Sequence, residues 1–290
     1  MDDRAFGCVG ILYPGELGSA FGTLLLDRGT RVVTTVQGRS DRSAALARET
    51  GMTVLESVTD VLKASDMIVS TVPPAVAVSN ARRIAARLPV TGRPRVFVDV
   101  NSISPATMSA VGAAFEGTGV SVVDASVHGQ AVTLSAATLY LSGPRADDVA
   151  ATLGNPPRTV ILGDELGQAS LFKMLLAGVN KGLVALLLEL SDLARREGVL
   201  DAFWTASRAA YPGVMTPFER LLPSYPTHVR RRADEMGELE ATVLDAGGEP
   251  LMSRAIRRTF EAAAQSPEML DSLVAEVARH LDVARNRRIQ

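Results

Sequence analysis

Short apolar runs alternate with segments of helical periodicity along the first half of the chain. The apolar runs predict strands at residues 7–12, 31–36, 67–72, 96–100, 120–123, 139–141 and 159–162. Strands that alternate with helices form βαβ units, so this pattern predicts a parallel sheet. The runs are apolar without interruption, which is typical of strands covered by helices on both faces.

The strand pattern stops after residue 163. Helical periodicity then predicts helices at 166–196, 202–211, 228–245 and 253–285, separated by prolines. The sequence therefore predicts an α/β fold class. An N-terminal Rossmann-type doubly wound sheet is expected over residues 1–163, and an all-α C-terminal domain over residues 164–290.

Composition and charge exclude several classes of partner. A net charge of -2 over 290 residues gives no field that favours nucleic acid or an anionic membrane. The single cysteine, Cys8, lies in an apolar run and is expected to be a core residue in a reducing cytoplasm. The N-terminus has no signal-peptide pattern, and the apolar stretch 183–190 is short for a bilayer. We therefore expect a cytoplasmic protein with no membrane partner and no metal site.

The turn between the first strand and the first helix carries a glycine pattern. Gly15 and Gly18 take the second and third positions of the dinucleotide fingerprint, while Tyr13 stands at the first. At such a turn the backbone N–H groups of the helix bind a pyrophosphate. The predicted phosphate loop is Tyr13-Pro14-Gly15-Glu16-Leu17-Gly18. A purely structural glycine turn is the alternative interpretation.

The end of the second strand bears on the choice of cofactor. NAD sites carry an acidic residue there, whereas this chain has Gly38-Arg39-Ser40, with Arg42 nearby. Arginine binds phosphate through two parallel hydrogen bonds, so this loop favours the 2′-phosphate of NADP over NAD. The alternative is a solvated surface loop.

Lysine is rare in this chain, and its three positions are Lys63, Lys173 and Lys181. Arginine does not release its proton, so a retained lysine is a candidate proton donor. Lys63 is expected on a helix surface. Lys173 lies on a long apolar helix, where the alternative is a side chain that only covers apolar surface.

Further segments follow the phosphate loop in a specific order: Val72-Pro73-Pro74, Asp99-Val100-Asn101-Ser102, Asp124-Ala125-Ser126-Val127-His128-Gly129-Gln130, and Gly167 through Lys173. With the phosphate loop, they resemble the β-hydroxyacid dehydrogenase / 6-phosphogluconate dehydrogenase-like superfamily, which includes the imine reductases. The C-terminal region resembles a branch with its own short helical domain.

The resemblance implies residue roles. Lys173 is the general acid/base, and the cofactor contacts include Asn101 and the loop Val72-Pro73-Pro74. The expected substrate contacts are Ser102, His128, Gly129, Gln130, Asn180 and Lys181.

The chain also departs from the family. His128 and Gln130 replace the family's serine and glycine, and a structural histidine is an equal alternative for His128. Ala177 stands where the family has asparagine, so Asn180 and Lys181, two turns beyond Lys173, are the candidates on that helix face. For Lys181 the alternative is an ion pair with an acid in a dimer interface.

These observations predict an NADP-dependent oxidoreductase that transfers hydride between the nicotinamide and a small carbonyl/hydroxyl substrate. Reduction of C=N, as in imine reductases, is the alternative chemistry. A non-catalytic NADP sensor is the alternative of another class. The apolar run 183–188 predicts a homodimer through the helical domain.

Overall fold

The computed structural model describes residues 5–90, 94–129 and 131–286. Its strands are β1 Cys8–Leu12, β2 Arg31–Thr35, β3 Thr53–Leu55, β4 Met67–Ser70, β5 Val96–Asp99, β6 Ser121–His128, β7 Thr138–Ser142 and β8 Arg158–Gly163. They form one sheet in the order β3-β2-β1-β4-β5-β6-β7-β8. Pairing is parallel except between β6 and β7, which run antiparallel. The carboxyl ends of β1 to β6 therefore lie at one edge.

Helices join most of these strands. They are α1 Glu16–Leu26, α2 Asp41–Thr50, α3 Val58–Ala64, α4 Ala77–Ala85, α5 Pro105–Ala113 and α6 Ala146–Leu153. Short 3-10 helices occur at Pro74–Val76 and Ala131–Ala136. The strand β3 and the helices α4 to α6 are not predicted from the sequence, because short segments carry a weak periodic signal. The helix α3 carries Lys63, which the sequence analysis places on a helix surface.

Both faces of the sheet are covered, which confirms the predicted doubly wound architecture. Val9 and Ile11 of β1 belong to one buried cluster, with α1 and α6 residues. Cys8 and Leu12 of the same strand point to the opposite cluster, with α3, α4 and α5 residues. Alternate residues of a strand face opposite sides, so a strand buried on both sides must be apolar throughout.

The chain divides into two units, Met1–Lys173 and Met174–Gln290. The division falls inside the 29-residue helix α7, Gln168–Arg196, rather than directly after β8. The first turn of α7 is bound to the sheet of the first unit. Ser170 N–H donates to Asp124 at 2.8 Å, and Ala169 N–H donates to Ser142 Oγ at 3.1 Å.

In the described residues of the second unit, every regular secondary-structure element is a helix. Beyond the rest of α7 it contains α8 Leu200–Ala210, α9 Pro212–Leu221, α10 Tyr225–Asp245, α11 Leu251–Gln265 and α12 Pro267–Asn286. Trp204, Phe218, Tyr225 and Phe260 are its largest fully buried side chains. These helices confirm the all-α prediction.

One helix predicted from the sequence, at residues 253–285, is wrong as a single element. The structure has two helices there, which meet at Ser266 and Pro267. Proline lacks an N–H group and clashes with the preceding turn, so it begins a helix rather than continuing one.

The helix α7 is long and apolar enough to cross a membrane by length and composition alone. The sequence-based estimate, which considered residues 183–190 only, understated this stretch. One such helix is weak evidence for a span, because the core helices of soluble proteins pass the same test. Two lysines on α7 are also held by polar partners of the same chain: Lys173 bonds to Ser102 and Lys181 pairs with Glu235.

Candidate active site

The phosphate loop lies where the sequence places it, between β1 and α1. Gly15 is the N-cap of α1 in an extended conformation, and no side chain caps the helix. A Cβ atom added to Gly15 would meet no atom within 4 Å, so the space beside it is open. The first N–H groups of α1 have no intrahelical acceptor and carry the positive end of the helix dipole. This geometry fits a pyrophosphate.

Gly18 has a different task from Gly15. A Cβ atom at this position would lie 2.5 Å from the backbone oxygen of Tyr13 and 2.8 Å from Thr71 Oγ1. Thr71 Oγ1 donates a hydrogen bond to that same oxygen at 2.9 Å. Glycine is therefore needed here so that α1 can pack closely against the loop after β4.

The departures at Tyr13 and Glu16 have physical explanations. The Tyr13 ring is buried among apolar residues on the face of the sheet opposite α1. The Glu16 carboxylate pairs with Arg42 at 2.5 Å, and both side chains are exposed. The negative charge beside the loop is thereby neutralised, and Arg42 is engaged by an acid rather than open to a ligand.

In the loop after β2, the side chain of Arg39 is exposed. Gly38 adopts a positive φ of 69°, which turns the chain so that Arg39 follows it. The Arg39 guanidinium lies 4.1 Å from the centre of the Tyr13 ring. Ser40 caps α2, its Oγ accepting from the N–H of Ser43 at 3.4 Å. Arg39 and Ser40 thus remain the candidates for the ribose end of the cofactor.

The loop after β4 contains the predicted nicotinamide contacts. Val72 is buried, whereas Pro73 and Pro74 are exposed and open the short helix before α4. The strand β4 lies between β1 and β5 in the sheet. This loop therefore stands at the same edge as the phosphate loop, and its cofactor role stays a prediction.

Lys173 and Ser102, which are 71 residues apart in sequence, meet in the structure. Lys173 Nζ donates to Ser102 Oγ at 2.6 Å. Ser102 follows β5, and Lys173 lies in the second turn of α7. The proposed proton donor is thereby held by a hydroxyl at the carboxyl edge of the sheet.

A buried carboxylate fixes the chain next to Ser102. Asp99, the last residue of β5, accepts from the backbone N–H of Asn101 at 2.9 Å and from its Nδ2 at 2.8 Å. Asn101 is itself buried, and its Oδ1 has no hydrogen-bond partner among the described residues. A buried acceptor without a partner is costly, so this atom fits a ligand that donates a hydrogen bond.

A second buried carboxylate fixes the start of α7. Asp124 of β6 accepts from both the N–H and the Oγ of Ser170, each at 2.8 Å. Ser126, two residues along β6, donates to the backbone oxygen of Ala169 at 3.0 Å. These bonds hold the turn that carries Lys173 against the sheet.

Asp99 and Asp124 are direct neighbours across β5 and β6. Burial raises the pKa of Asp99 to about 7, and the hydrogen bonds from Asn101 oppose this rise only in part. Burial also raises the pKa of Asp124, against the hydrogen bonds from Ser170. The folded chain therefore holds a proton on Asp99 over a pH range in which the unfolded chain releases it.

The Asp99→Asn variant should flatten the pH dependence of stability. In the wild type, the folded state binds more protons than the unfolded state between the ordinary pKa of 3.8 and about 7. The free energy of unfolding should therefore fall as pH rises through this window, by at most about 1.4 kcal/mol per pH unit for one proton. Urea unfolding of both proteins from pH 4 to 8 measures this, and parallel pH curves would contradict the assignment.

The predicted substrate loop is described only in part. His128 is exposed at the end of β6. Gly129 has a φ of 144°, and a Cβ atom there would lie 2.8 Å from that of Ala137, which gives this glycine a structural reason. Gln130 lies outside the described residues. The substrate contacts of this loop stay predictions.

Asn180 and Lys181 lie in the second unit. Lys181 Nζ is 2.6 Å from Glu235 Oε2, and the lysine is buried. The partner is an acid of the same chain, not an acid across the dimer interface that the sequence analysis considered. The substrate role of Lys181 stays a prediction. Asn180 is half-buried, and its role stays a prediction.

Some residues at this edge escaped the sequence-based prediction. Ser170 is one, because a serine in a helix gives no signal without the strand that faces it. Arg83 of α4 is another: its Nη2 donates to the Tyr13 hydroxyl at 2.5 Å. In sequence, Arg83 is one of three arginines on α4 and its first following turn, alongside Arg82 and Arg87.

Comparisons with known proteins agree with this geometry. Residues 6–152 match the family described as the NAD binding domain of 6-phosphogluconate dehydrogenase. Residues 194–263 match a domain of unknown function, DUF1932. A curated relative, the uncharacterized 28.5 kDa protein in 7S RNA 5′ region of Methanothermus fervidus, is 26% identical over 257 residues, 87% of this chain and 97% of that protein.

Two solved structures extend the comparison. The conserved protein MTH1747 of unknown function, described as structurally similar to 3-hydroxyacid dehydrogenases, is 29% identical with a TM-score of 0.74. That match covers 91% of this chain and 98% of the other. The Mycobacterium tuberculosis 3-hydroxyisobutyrate dehydrogenase is 18% identical with a TM-score of 0.72, over 93% of this chain and 99% of the other. At this identity the second match shows a shared fold.

Proposed function

The chain belongs to the family of the NAD binding domain of 6-phosphogluconate dehydrogenase, and from this premise we propose that it is an NADP-dependent oxidoreductase. Its family and its fold are those of dehydrogenases and reductases. The substrate we propose is a small molecule with a carbonyl/hydroxyl pair. The observation that carries this proposal is the hydrogen bond from Lys173 Nζ to Ser102 Oγ at 2.6 Å, at the cofactor edge of the sheet.

The residues of this chain have a definite task in such a reaction. A bound nicotinamide supplies or accepts the hydride. In the reductive direction the Lys173 ammonium donates a proton to the substrate oxygen, and in oxidation the neutral amine takes that proton back. Ser102 accepts a hydrogen bond from the ammonium and thereby orients it. Asp99 and Asp124 hold the two segments that carry this pair.

The loop after β2 supports NADP rather than NAD. The end of β2 lacks the acidic residue that binds the ribose hydroxyls of NAD, and the exposed Arg39 follows this strand instead. Glu16, the acid within the phosphate loop, pairs with Arg42. The 2′-phosphate that distinguishes NADP from NAD would therefore meet the Arg39 guanidinium, which has no carboxylate partner among the described residues.

The retained lysine supports an oxygen substrate over a C=N substrate. A carbonyl oxygen becomes an alkoxide during hydride addition and needs a proton at that moment, whereas an iminium becomes a neutral amine. Lys173 and Ser102 supply a proton donor with a fixed orientation. We therefore place carbonyl reduction ahead of imine reduction and ahead of cofactor sensing without chemistry.

The test is cofactor binding followed by a substrate panel. We expect NADPH to bind more tightly than NADH by titration calorimetry, and small ketones or aldehydes to be reduced in preference to cyclic imines. Faster turnover of the imines would overturn the choice of chemistry. Tight NADPH binding without turnover of any panel member would favour the sensor function.

A homodimer through α7 is part of this proposal. Leu175, Val179, Leu186 and Leu193 are each more than half exposed, and with Leu190 they lie on one stripe of the helix. A second copy of the chain would bury this stripe. Light scattering on the eluting peak of a size-exclusion column should give the mass of a dimer, and Leu186→Glu should give a monomer. A monomeric wild type would remove this proposal.

A further inference from the structure

Tyr13 stands between two arginines that come from different parts of the chain. The Arg39 guanidinium, from the loop after β2, lies 4.1 Å from the centre of the Tyr13 ring. The Arg83 guanidinium, from α4, lies 5.7 Å from the same centre. The tyrosine itself follows β1, the strand between β2 and β4. Residues that follow three neighbouring strands therefore meet at one point.

The tyrosine orients both arginines by different interactions. The ring face attracts the Arg39 guanidinium through a cation–π contact. The hydroxyl accepts a hydrogen bond from Arg83 Nη2 at 2.5 Å. The same Nη2 also donates to Asn80 Oδ1 at 2.8 Å, and Asn80 is a buried residue. Nη2 of Arg83 therefore donates to both Tyr13 and Asn80, and these two bonds fix the position of the guanidinium.

The remaining donors of both arginines point to no partner within the chain. Among the described residues, Nε and Nη1 of Arg83 and all guanidinium nitrogens of Arg39 have no hydrogen-bond acceptor. In the same part of the chain neither arginine pairs with a carboxylate, in contrast to Arg42 and Glu16. Both guanidinium groups are exposed.

The two guanidinium charges beside the Tyr13 ring repel each other, and an anion between them or full solvation reduces this repulsion. A phosphate group offers several strong acceptor oxygens and a charge near minus two at neutral pH. Guanidinium binds such oxygens through paired hydrogen bonds. The open donors, the shared ring and the net positive charge all fit a phosphate monoester.

We infer that Arg83, positioned by Tyr13, completes with Arg39 the site for the 2′-phosphate of the cofactor. The inference rests on the proposed NADP dependence. It assigns the discrimination between NADP and NAD to a residue of α4 as well as to the loop after β2. It also gives a function to the tyrosine that replaces the first glycine of the fingerprint. Arg83 is the residue that binds the phosphate, and Tyr13 is the positioning residue.

The test compares probes that differ only in the 2′-phosphate. Adenosine 2′,5′-bisphosphate and adenosine 5′-monophosphate form one pair, and NADPH and NADH form the other, all measured by titration calorimetry on the full chain. Arg83→Met should weaken the 2′-phosphorylated probe of each pair by about tenfold to a hundredfold, the usual worth of a charged hydrogen bond. The other probe of each pair should change less than about threefold.

Matched variants separate the roles. Arg82→Met removes an exposed arginine one residue earlier on α4 and should leave all four affinities unchanged. Arg83→Lys should recover part of the preference because the charge is kept. Tyr13→Phe keeps the ring that contacts Arg39 but removes the acceptor for Arg83, so in each pair it should weaken binding of the 2′-phosphorylated probe more than binding of the other probe.

The outcomes distinguish this inference from the proposed function. If the wild type binds NADPH and NADH equally, the proposed NADP dependence fails, and this inference fails with it. If the wild type prefers NADPH and Arg83→Met keeps that preference while Arg39→Met loses it, only the role of Arg83 is overturned. Thermal unfolding of each variant identifies any loss that comes from misfolding.

Discussion

Lys173→Met is expected to lower kcat by about a hundredfold to ten-thousandfold, the usual contribution of a general acid or base. Methionine matches the length and apolar stem of lysine but carries no proton to donate. The loss should appear in kcat, because the dinucleotide contacts of the phosphate loop are untouched. Affinity for NADPH should change less than about threefold, since Lys173 is assigned to the substrate oxygen.

The control for this variant is another lysine of the same chain. Lys63 lies exposed in the last turn of α3, and Lys63→Met should turn over at the wild-type rate. Lys173→Arg keeps the charge but does not release a proton, so it should remain impaired. Turnover of the best substrate by Lys173→Met at the wild-type rate would show that proton transfer does not pass through this residue.

Gly15→Asp is expected to abolish dinucleotide binding while the fold is kept. A Cβ atom at position 15 meets no protein atom within 4 Å, so the aspartate side chain has room to extend into the space that we propose for the pyrophosphate. Its negative charge opposes the phosphates at the helix N-terminus, and we expect a loss of about a hundredfold or more in NADPH affinity. Aspartate is also a better N-cap than glycine, so the melting temperature should stay level or rise.

Two further variants show which property of position 15 matters. Gly15→Ala adds a small neutral group in open space and should cost less affinity than aspartate does. Gly18→Ala should instead lower stability, because its Cβ atom overlaps the backbone oxygen of Tyr13. Unchanged NADPH affinity in Gly15→Asp would mean that the phosphates lie elsewhere. Calorimetric titration and thermal unfolding provide the two measurements.

The elements carried by local periodicity were predictable. The strands β1, β2, β4 and β5 were found within two residues of their ends, because a continuous apolar run between turns is a local signal. The break before Pro267 was also local, yet it was missed because apolar periodicity continues across it. The three-residue edge strand β3 gave little signal, since two of its residues are exposed.

The candidate site divides along the same line. The sequence alone indicated the phosphate loop, because a glycine turn after a strand is a pattern of neighbouring positions. It also indicated Lys173, because lysine is a rare residue type in this chain. Only the tertiary structure joined Lys173 to Ser102 and Tyr13 to Arg83, pairs that are 71 and 70 residues apart. It also showed that Arg42 is engaged by Glu16 and Lys181 by Glu235. The chemistry of a side chain is set by its residue type, but its partners are set by the strand order and helix packing that bring distant segments together.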